Sequence, residues 1–128
     1  MAKKLGIYSV LALLLFSGYV YALSYDEIYR AADGYTDAQF KVYAKSLVGQ
    51  TVTWTGKVKD VKKKWFSSNY EVSILMRDEM GFHVSFEVPE ALALQLKKNG
   101  SYTFTGEIEI VVKVFGKPLV SLKDVRFK

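Results

Sequence analysis

Cysteine is absent from these 128 residues, histidine occurs once, proline twice and arginine three times. Each scarcity excludes a class of chemistry. Without cysteine there is no disulfide framework, no thiolate zinc site and no lipid-bearing cysteine after the N-terminal apolar run. The single histidine, His83, lies in "GFHVSFE", which carries no strained nucleophile turn, so a Ser-His-acid triad has no footing. Arg30, Arg77 and Arg126 are scattered, whereas a metal-dependent nuclease needs arginines beside a carboxylate cluster. "RDEMG" sets Arg77, Asp78 and Glu79 side by side, but neighbours in a turn are expected to point apart. No catalytic residue, metal ligand or cofactor is therefore assigned, and the chain is read as a non-enzyme. Charge of one sign is also modest. The net charge is +5, and setting aside Lys3 and Lys4 lowers it to +3. That is far from the concentrated basic field of a dedicated DNA binder.

What is present begins with an apolar leader. Lys3 and Lys4 precede an uncharged run, densest from Val10 to Phe16, and Val20-Tyr21-Ala22 offers small residues where a signal peptidase needs them. This is the pattern of a secretory signal peptide over residues 1–22, cleaved after Ala22. The alternative is an anchor retained over residues 5–23. No charge occurs between Leu5 and Tyr25, and about 20 apolar residues span a bilayer. The expected location is the periplasm or the exterior, with membrane contact only through an uncleaved leader.

Half of all residues are hydrophobic and 15% are aromatic, enough for one packed core. "YTDAQFKVYAKSLVGQ" reads as a helix. Thr36 and Gln39 form a capping box, Phe40, Tyr43 and Leu47 share a face, and Gly49 ends it. "SYDEIYRAAD" is a further short helical turn, with Ile28 and Ala32 on one face. From Thr51 the period becomes two. "TVTWTGKVKDV" is broken by Gly56, and "NYEVSILM" alternates through Tyr70, Val72, Ile74 and Met76. "FHVSFEV" places Phe82, Val84, Phe86 and Val88 inward. Pro89 opens a helix over "PEALALQLKKNG", with Leu92 and Leu96 on one face. "SYTFTGEIEIVVKVF" points Tyr102, Phe104, Ile108 and Ile110 inward around a break at Gly106, and "LVSLKDVRF" is the last strand.

Helix, three strands, helix, two strands, with glycine breaks in the first and fourth strands, describes a mainly β, α+β domain. It predicts a five-stranded Greek-key barrel with a helix between strands three and four and an N-terminal helix. The expected division is residues 1–22 leader, 23–50 helical segment and 51–128 barrel. "VTWTGKV" in the first strand, "YTFTGEI" in the fourth and "LKDV" in the last resemble the OB-fold domains called tRNA-anticodon-like, and are similar to exported bacterial OB-fold proteins. The resemblance runs from Leu47 to the C-terminus. It implies a fold and an ancestry, not a tRNA ligand.

The OB-fold binds on the outer face of strands two and three and in the loops joining strands one to two and four to five. Alternation places Glu71, Ser73, Leu75, Arg77, His83, Ser85 and Glu87 outward on that face. It has no aromatic platform of the kind on which single-stranded nucleic acid stacks, worth about 1–3 kcal/mol per base. The aromatics lie in the loops. "KKKWF" joins Lys62, Lys63 and Lys64 to Trp65 and Phe66, and "KVFGKP" joins Lys113 and Lys117 to Phe115. Two readings of Trp65 are open: core folded over the barrel mouth, or solvent-facing contact area. The two loops are expected to form one shared mouth, with Val111 extending an apolar patch beside it. The module would contact an envelope protein, an anionic small molecule or a glycan there. Single-stranded nucleic-acid binding, as in DNA uptake or conjugation, and a structural role in an envelope assembly are the alternatives.

Overall fold

A computed structural model describes residues 22–128. The leader and its cleavage site, except Ala22, lie outside the described residues. Two helices come first, α1 (Tyr25–Gly34) and α2 (Asp37–Leu47). Both begin with a reciprocal capping box, Ser24 with Glu27 and Thr36 with Gln39, which satisfies backbone N–H groups the helix cannot pair itself. The stretch expected to be a short turn is thus a full helix of 10 residues. α1 buries Tyr25, Ile28 and Ala32, and α2 buries Phe40, Ala44 and Leu47, with Tyr43 half-buried beside them. Val48 caps α2, and Gly49 follows at φ 92°, a left-handed position suited to glycine.

Five strands then close a barrel in the order β1-β2-β3-β5-β4. They are β1 (Thr51–Lys63), β2 (Tyr70–Leu75), β3 (Val84–Val88), β4 (Ser101–Val114) and β5 (Lys117–Phe127). All pairings are antiparallel except β3 with β5, which is parallel. A short helix, α3 (Glu90–Ala93), links β3 to β4. This is the OB-fold, in which closure removes the free edges of an open sheet.

Strand alternation builds the interior from Val52, Trp54, Val58, Val72, Ile74, Val84, Phe86, Val88, Phe104, Ile108, Val120 and Leu122. Gly56 and Gly106 face inward where neighbours come close. A Cβ on Gly56 would collide with the Ile74 side chain, and one on Gly106 would lie 2.8 Å from Val125 Cγ2. On the outer side of β1 and β4, Thr53 meets Thr105 and Thr55 meets Thr103 through hydroxyl hydrogen bonds of 2.8 and 2.7 Å.

Three expectations are corrected. The helix predicted from Pro89 to Gly100 is one turn. Pro89 caps it, Leu94 is exposed, and the following N–H groups bond three residues back. The chain must return to pair Ser101 with Lys57, and the bonds from Asn99 N–H to Val58 O and from Val58 N–H to Gly100 O draw it away. On β4, a register shift between Ile108 and Ile110 reverses the alternation, so Ile110 faces solvent and Val111 is buried. Just before β3, Phe82 is exposed and His83 is buried with 1% of its surface accessible, opposite to the predicted orientation.

Candidate functional site

Strand direction divides the barrel into two ends. β1 rises to Lys63, and β3 and β5 run with it. The β1–β2 loop and α3 therefore sit at one end, called the top. The β2–β3 and β4–β5 loops and α1 sit at the other, the base. Pairing shows it: Thr51, at the start of β1, lies opposite Glu107, and β4 continues past it to Val114. The predicted shared mouth does not form, because the β1–β2 and β4–β5 loops occupy opposite ends.

At the top, the β1–β2 loop is clamped at its root. Lys64 N–H donates to Asn69 O at 3.0 Å, and Lys64 Nζ and Asn69 Nδ2 reach Glu87 at 2.6 and 3.3 Å. Glu87, then Glu71 and Glu109, hold the Lys64 ammonium above its ordinary range, and Lys64 in turn lowers the Glu87 carboxyl. Above this clamp stand Trp65, 90% exposed, and Phe66, 92% exposed, edge-on to each other at 5.2 Å between ring centres. Trp65 is therefore surface, which settles the open question about it. Lys63 is exposed, and Lys62 makes only a 3.7 Å approach to Asp60 from a largely exposed position.

The outer face of β2 and β3 below this loop is a polar groove. It is lined by Glu71, Glu87, Glu109, Ser85, Ser121 and the clamp residues, with Ser85 and Ser121 hydroxyls 3.2 Å apart. Asp124 and Lys123 also line it, so four carboxylates stand against two lysines, a net negative lining that disfavours phosphate. Of the residues predicted to line this face, Ser85 is buried and His83 belongs to the base.

At the base, β4 and β5 join through a two-residue hairpin turn, Phe115 at φ 51° and Gly116 at φ 78°. Phe115 is 99% exposed. It borders a cavity of about 340 Å³ with Met80, Phe82, His83, Val114 and Pro118. Met80, on the β2–β3 loop, is 92% exposed. Lys113 and Lys117, predicted to orient a ligand beside Phe115, are engaged elsewhere. Lys113 Nζ binds Asp37 at 2.8 Å and lies 5.4 Å from the centre of the Phe40 ring, and Lys117 Nζ binds Glu79 at 3.2 Å.

Glu79 is the hub that sequence reasoning missed. It accepts from the Tyr29 hydroxyl at 2.6 Å and meets His83 Nε2 at 3.0 Å and Arg77 Nε at 3.9 Å. Hydrogen bonds from Tyr29 and then His83, with Lys117 after them, bring its carboxyl down to about 2. Its carboxylate in turn raises the Tyr29 hydroxyl. Arg77 also reaches Asp26 at 3.1 Å and stacks over the Tyr29 ring at 4.0 Å. So Arg77 and Glu79 converge on α1, where neighbouring turn residues were expected to diverge. His83 Nδ1 accepts the Met76 N–H at 3.0 Å, which places the ring proton on Nε2, facing Glu79. Both histidine nitrogens are thus used in structure. The Tyr25 ring lies 5.4 Å from His83, its hydroxyl donates to Pro118 O at 2.7 Å, and burial pushes that hydroxyl's pKa up. No spacing in the sequence announces these contacts, because they join α1 to two loops.

Among the described residues no group of three or more His, Asp or Glu is placed to hold a metal, and no helix is long and apolar enough to cross a membrane.

No protein-family model matches the chain, and no curated protein matches it. Solved structures give distant likenesses. A proposed nucleic acid-binding lipoprotein from Klebsiella pneumoniae is 19% identical, with a TM-score of 0.47, over 66% of this chain and 74% of that one. An OBody bound to hen egg-white lysozyme is 14% identical, with a TM-score of 0.44, over 66% and 80%. RecG bound to a three-way DNA junction is 14% identical, with a TM-score of 0.44, over 91% of this chain and 20% of that one. At such scores and identities these likenesses carry no inference about function.

Proposed function

We propose that this chain is an exported, non-enzymatic OB-fold module that captures a protein partner of the cell envelope through its β1–β2 loop. One observation carries the reading: Trp65 and Phe66 stand almost wholly in solvent above a salt-bridged root. Neither ring contributes to the core. Exposed, rigidly mounted aromatics are what interfaces use as anchors, with tryptophan prominent among energetic hot spots. Lys62 and Lys63 add a positive rim, which steers a partner bearing an acidic border round an apolar pocket. The leader supports export. The tRNA-anticodon-like and exported OB-fold resemblance is ancestry within this reading. The commitment of both His83 nitrogens to Met76 and Glu79 supports a binding role over a catalytic one.

Single-stranded nucleic acid is the second reading, favoured by the same lysine–aromatic loop. The glutamates on the adjoining face oppose it.

The test uses the Trp65→Ala, Phe66→Ala double variant. Its thermal midpoint should match the parent, since such surface changes fall within about 0.5 kcal/mol. Crosslinked capture from envelope extracts should lose a band that the parent retains. An identical capture pattern overturns the reading. Oligonucleotide titrated at low salt should leave the Trp65 emission unchanged; a salt-sensitive response moves the assignment to nucleic acid.

A further inference from the structure

We propose that the chain pairs with a second copy of itself through the lower half of β4, strand edge to strand edge about a two-fold axis. Neither Trp65 nor Phe66 takes part, and the pairing stands apart from the capture of an envelope partner.

Barrel closure leaves one stretch of edge open. β1 pairs with β4 only from Lys57 opposite Ser101 to Thr51 opposite Glu107. The chain before β1 adds one more exchange, Gly49 N–H to Ile108 O and Ile108 N–H to Gln50 O. From Ile110 to Val114, β4 is paired on its β5 side alone. The two-residue turn makes Val114 and Lys117 exchange both hydrogen bonds, and bonding to β5 then falls on alternate residues, Val114, Val112 and Ile110. Two observations agree with this phase. Pro118, opposite Lys113, has no N–H to give, and Val120, opposite Val111, donates its N–H to His83 O at 2.9 Å. The N–H and C=O groups of Val111 and Lys113 therefore point out of the open edge. Among the described residues no hydrogen bond reaches them there.

An exposed edge is a template for another strand, and proteins blunt it with charge or proline. Here the one charge between Ile110 and Val114 is Lys113, which is turned under the ribbon to Asp37 at 2.8 Å. On that underside Asp37 attracts both Lys113 and Lys41, which hold its carboxyl below the ordinary range. A cavity of about 570 Å³, lined by Phe40, Ala44, Val111 and Val112 among others, lies between α2 and this stretch, so the helix does not seal the edge. Ile110, Val112 and Val114 face the opposite way and are 50%, 43% and 45% exposed.

The row is complementary to itself. Set antiparallel about an axis at Val112, Val111 of each copy exchanges two hydrogen bonds with Lys113 of the other. Val112 then lies opposite Val112, and Ile110 opposite Val114, so β-branched apolar pairs close along one face. The charges at the two ends of the row are opposite in sign. Glu109 stands exposed at one end and Lys117, bound to Glu79, at the other. The antiparallel setting brings each Glu109 to the Lys117 end of the second copy. Length agrees as well. Gln50 on Ile108 stops an added strand at one end, and the turn at Phe115 and Gly116 ends β4 before that point is reached. The Trp65 loops, at the far end of each barrel, stay free in the pair.

The absence of cysteine permits a register-specific test on the full chain, purified from the envelope of cells that express it with its leader. Facing residues that share no hydrogen bond have Cα atoms about 4.5 Å apart, within disulfide range. Val112→Cys should therefore join two chains under mild oxidation at about ten times the yield of Ile110→Cys, whose two copies lie too far apart along the strands. Ile110→Cys combined with Val114→Cys should restore the yield. Sedimentation of the parent should give twice the chain mass. Val112→Lys should return the mass of one chain with its circular dichroism unchanged; should that variant fail to fold, the crosslinking yields decide. These results support the pairing. A parent at the mass of one chain, equal crosslinking at 112 and 110, or a folded Val112→Lys chain that still sediments as a pair overturns it.

Discussion

At position 115 a phenylalanine holds a backbone conformation that asparagine or glycine adopts more easily, and its ring touches almost nothing. Left-handed backbone costs roughly 1–2 kcal/mol for an ordinary L-residue. Phe115→Asn should therefore stabilise the domain by about 1 kcal/mol, raising the thermal midpoint by roughly 4 °C or more. Calorimetry checks this; a lower midpoint means that Phe115 packs in solution. His83 gives the opposite case. It is buried and donates to a carboxylate, although strand alternation turned it outward. The β2–β3 loop delivers it to the base, and loop geometry is invisible to a period-two pattern.

Among the elements, β1 and β4 carry inward glycines for a steric reason. Gly56→Ala would drive a methyl into Ile74 and toward Met76 Sδ at 2.9 Å. It should cost about 1–3 kcal/mol, the usual scale of overpacking. Gly34, at the end of α1, meets nothing within 4 Å, and Gly34→Ala should be neutral or stabilising by about 0.5–1 kcal/mol. Denaturation midpoints for the pair decide the point, and equal losses would refute it. Local signals read the helices well: both capping boxes lie within four residues of sequence. They read "PEALALQLKKNG" poorly, because the hydrogen bonds of Asn99 and Gly100 to Val58 overrule its helical propensity.

Across the whole molecule, Glu79 ties α1 to the barrel. Its carboxyl is depressed from 4.5 to about 2 in the fold. A group lowered in this way stabilises above its unfolded value, and that stability disappears as pH falls through the folded one. The contribution of Glu79 should thus be complete above about 4.5 and vanish between there and about 2. Glu79→Gln should flatten the midpoint-against-pH curve in that window, while Glu87 and Asp37, also lowered by lysine partners, still contribute. An unchanged curve would mean the hub does not report on folding.

The sequence by itself determined the Thr36–Gln39 cap, the strand alternation over most of each strand, the glycine breaks and hence the closed five-stranded barrel, because each is a short-range pattern with a local physical cause. It also showed the lysine–aromatic loops. Only the tertiary structure decided that Trp65 and Phe66 stand free, that Lys64, Lys113 and Lys117 are already paired, and that the β1–β2 and β4–β5 loops lie at opposite ends. Those facts depend on strand direction and on partners tens of residues away: Glu87 for Lys64, Asp37 for Lys113, Glu79 for Lys117. Local periodicity reports which way a side chain points along its own strand. It does not report which end of a closed barrel a loop will occupy.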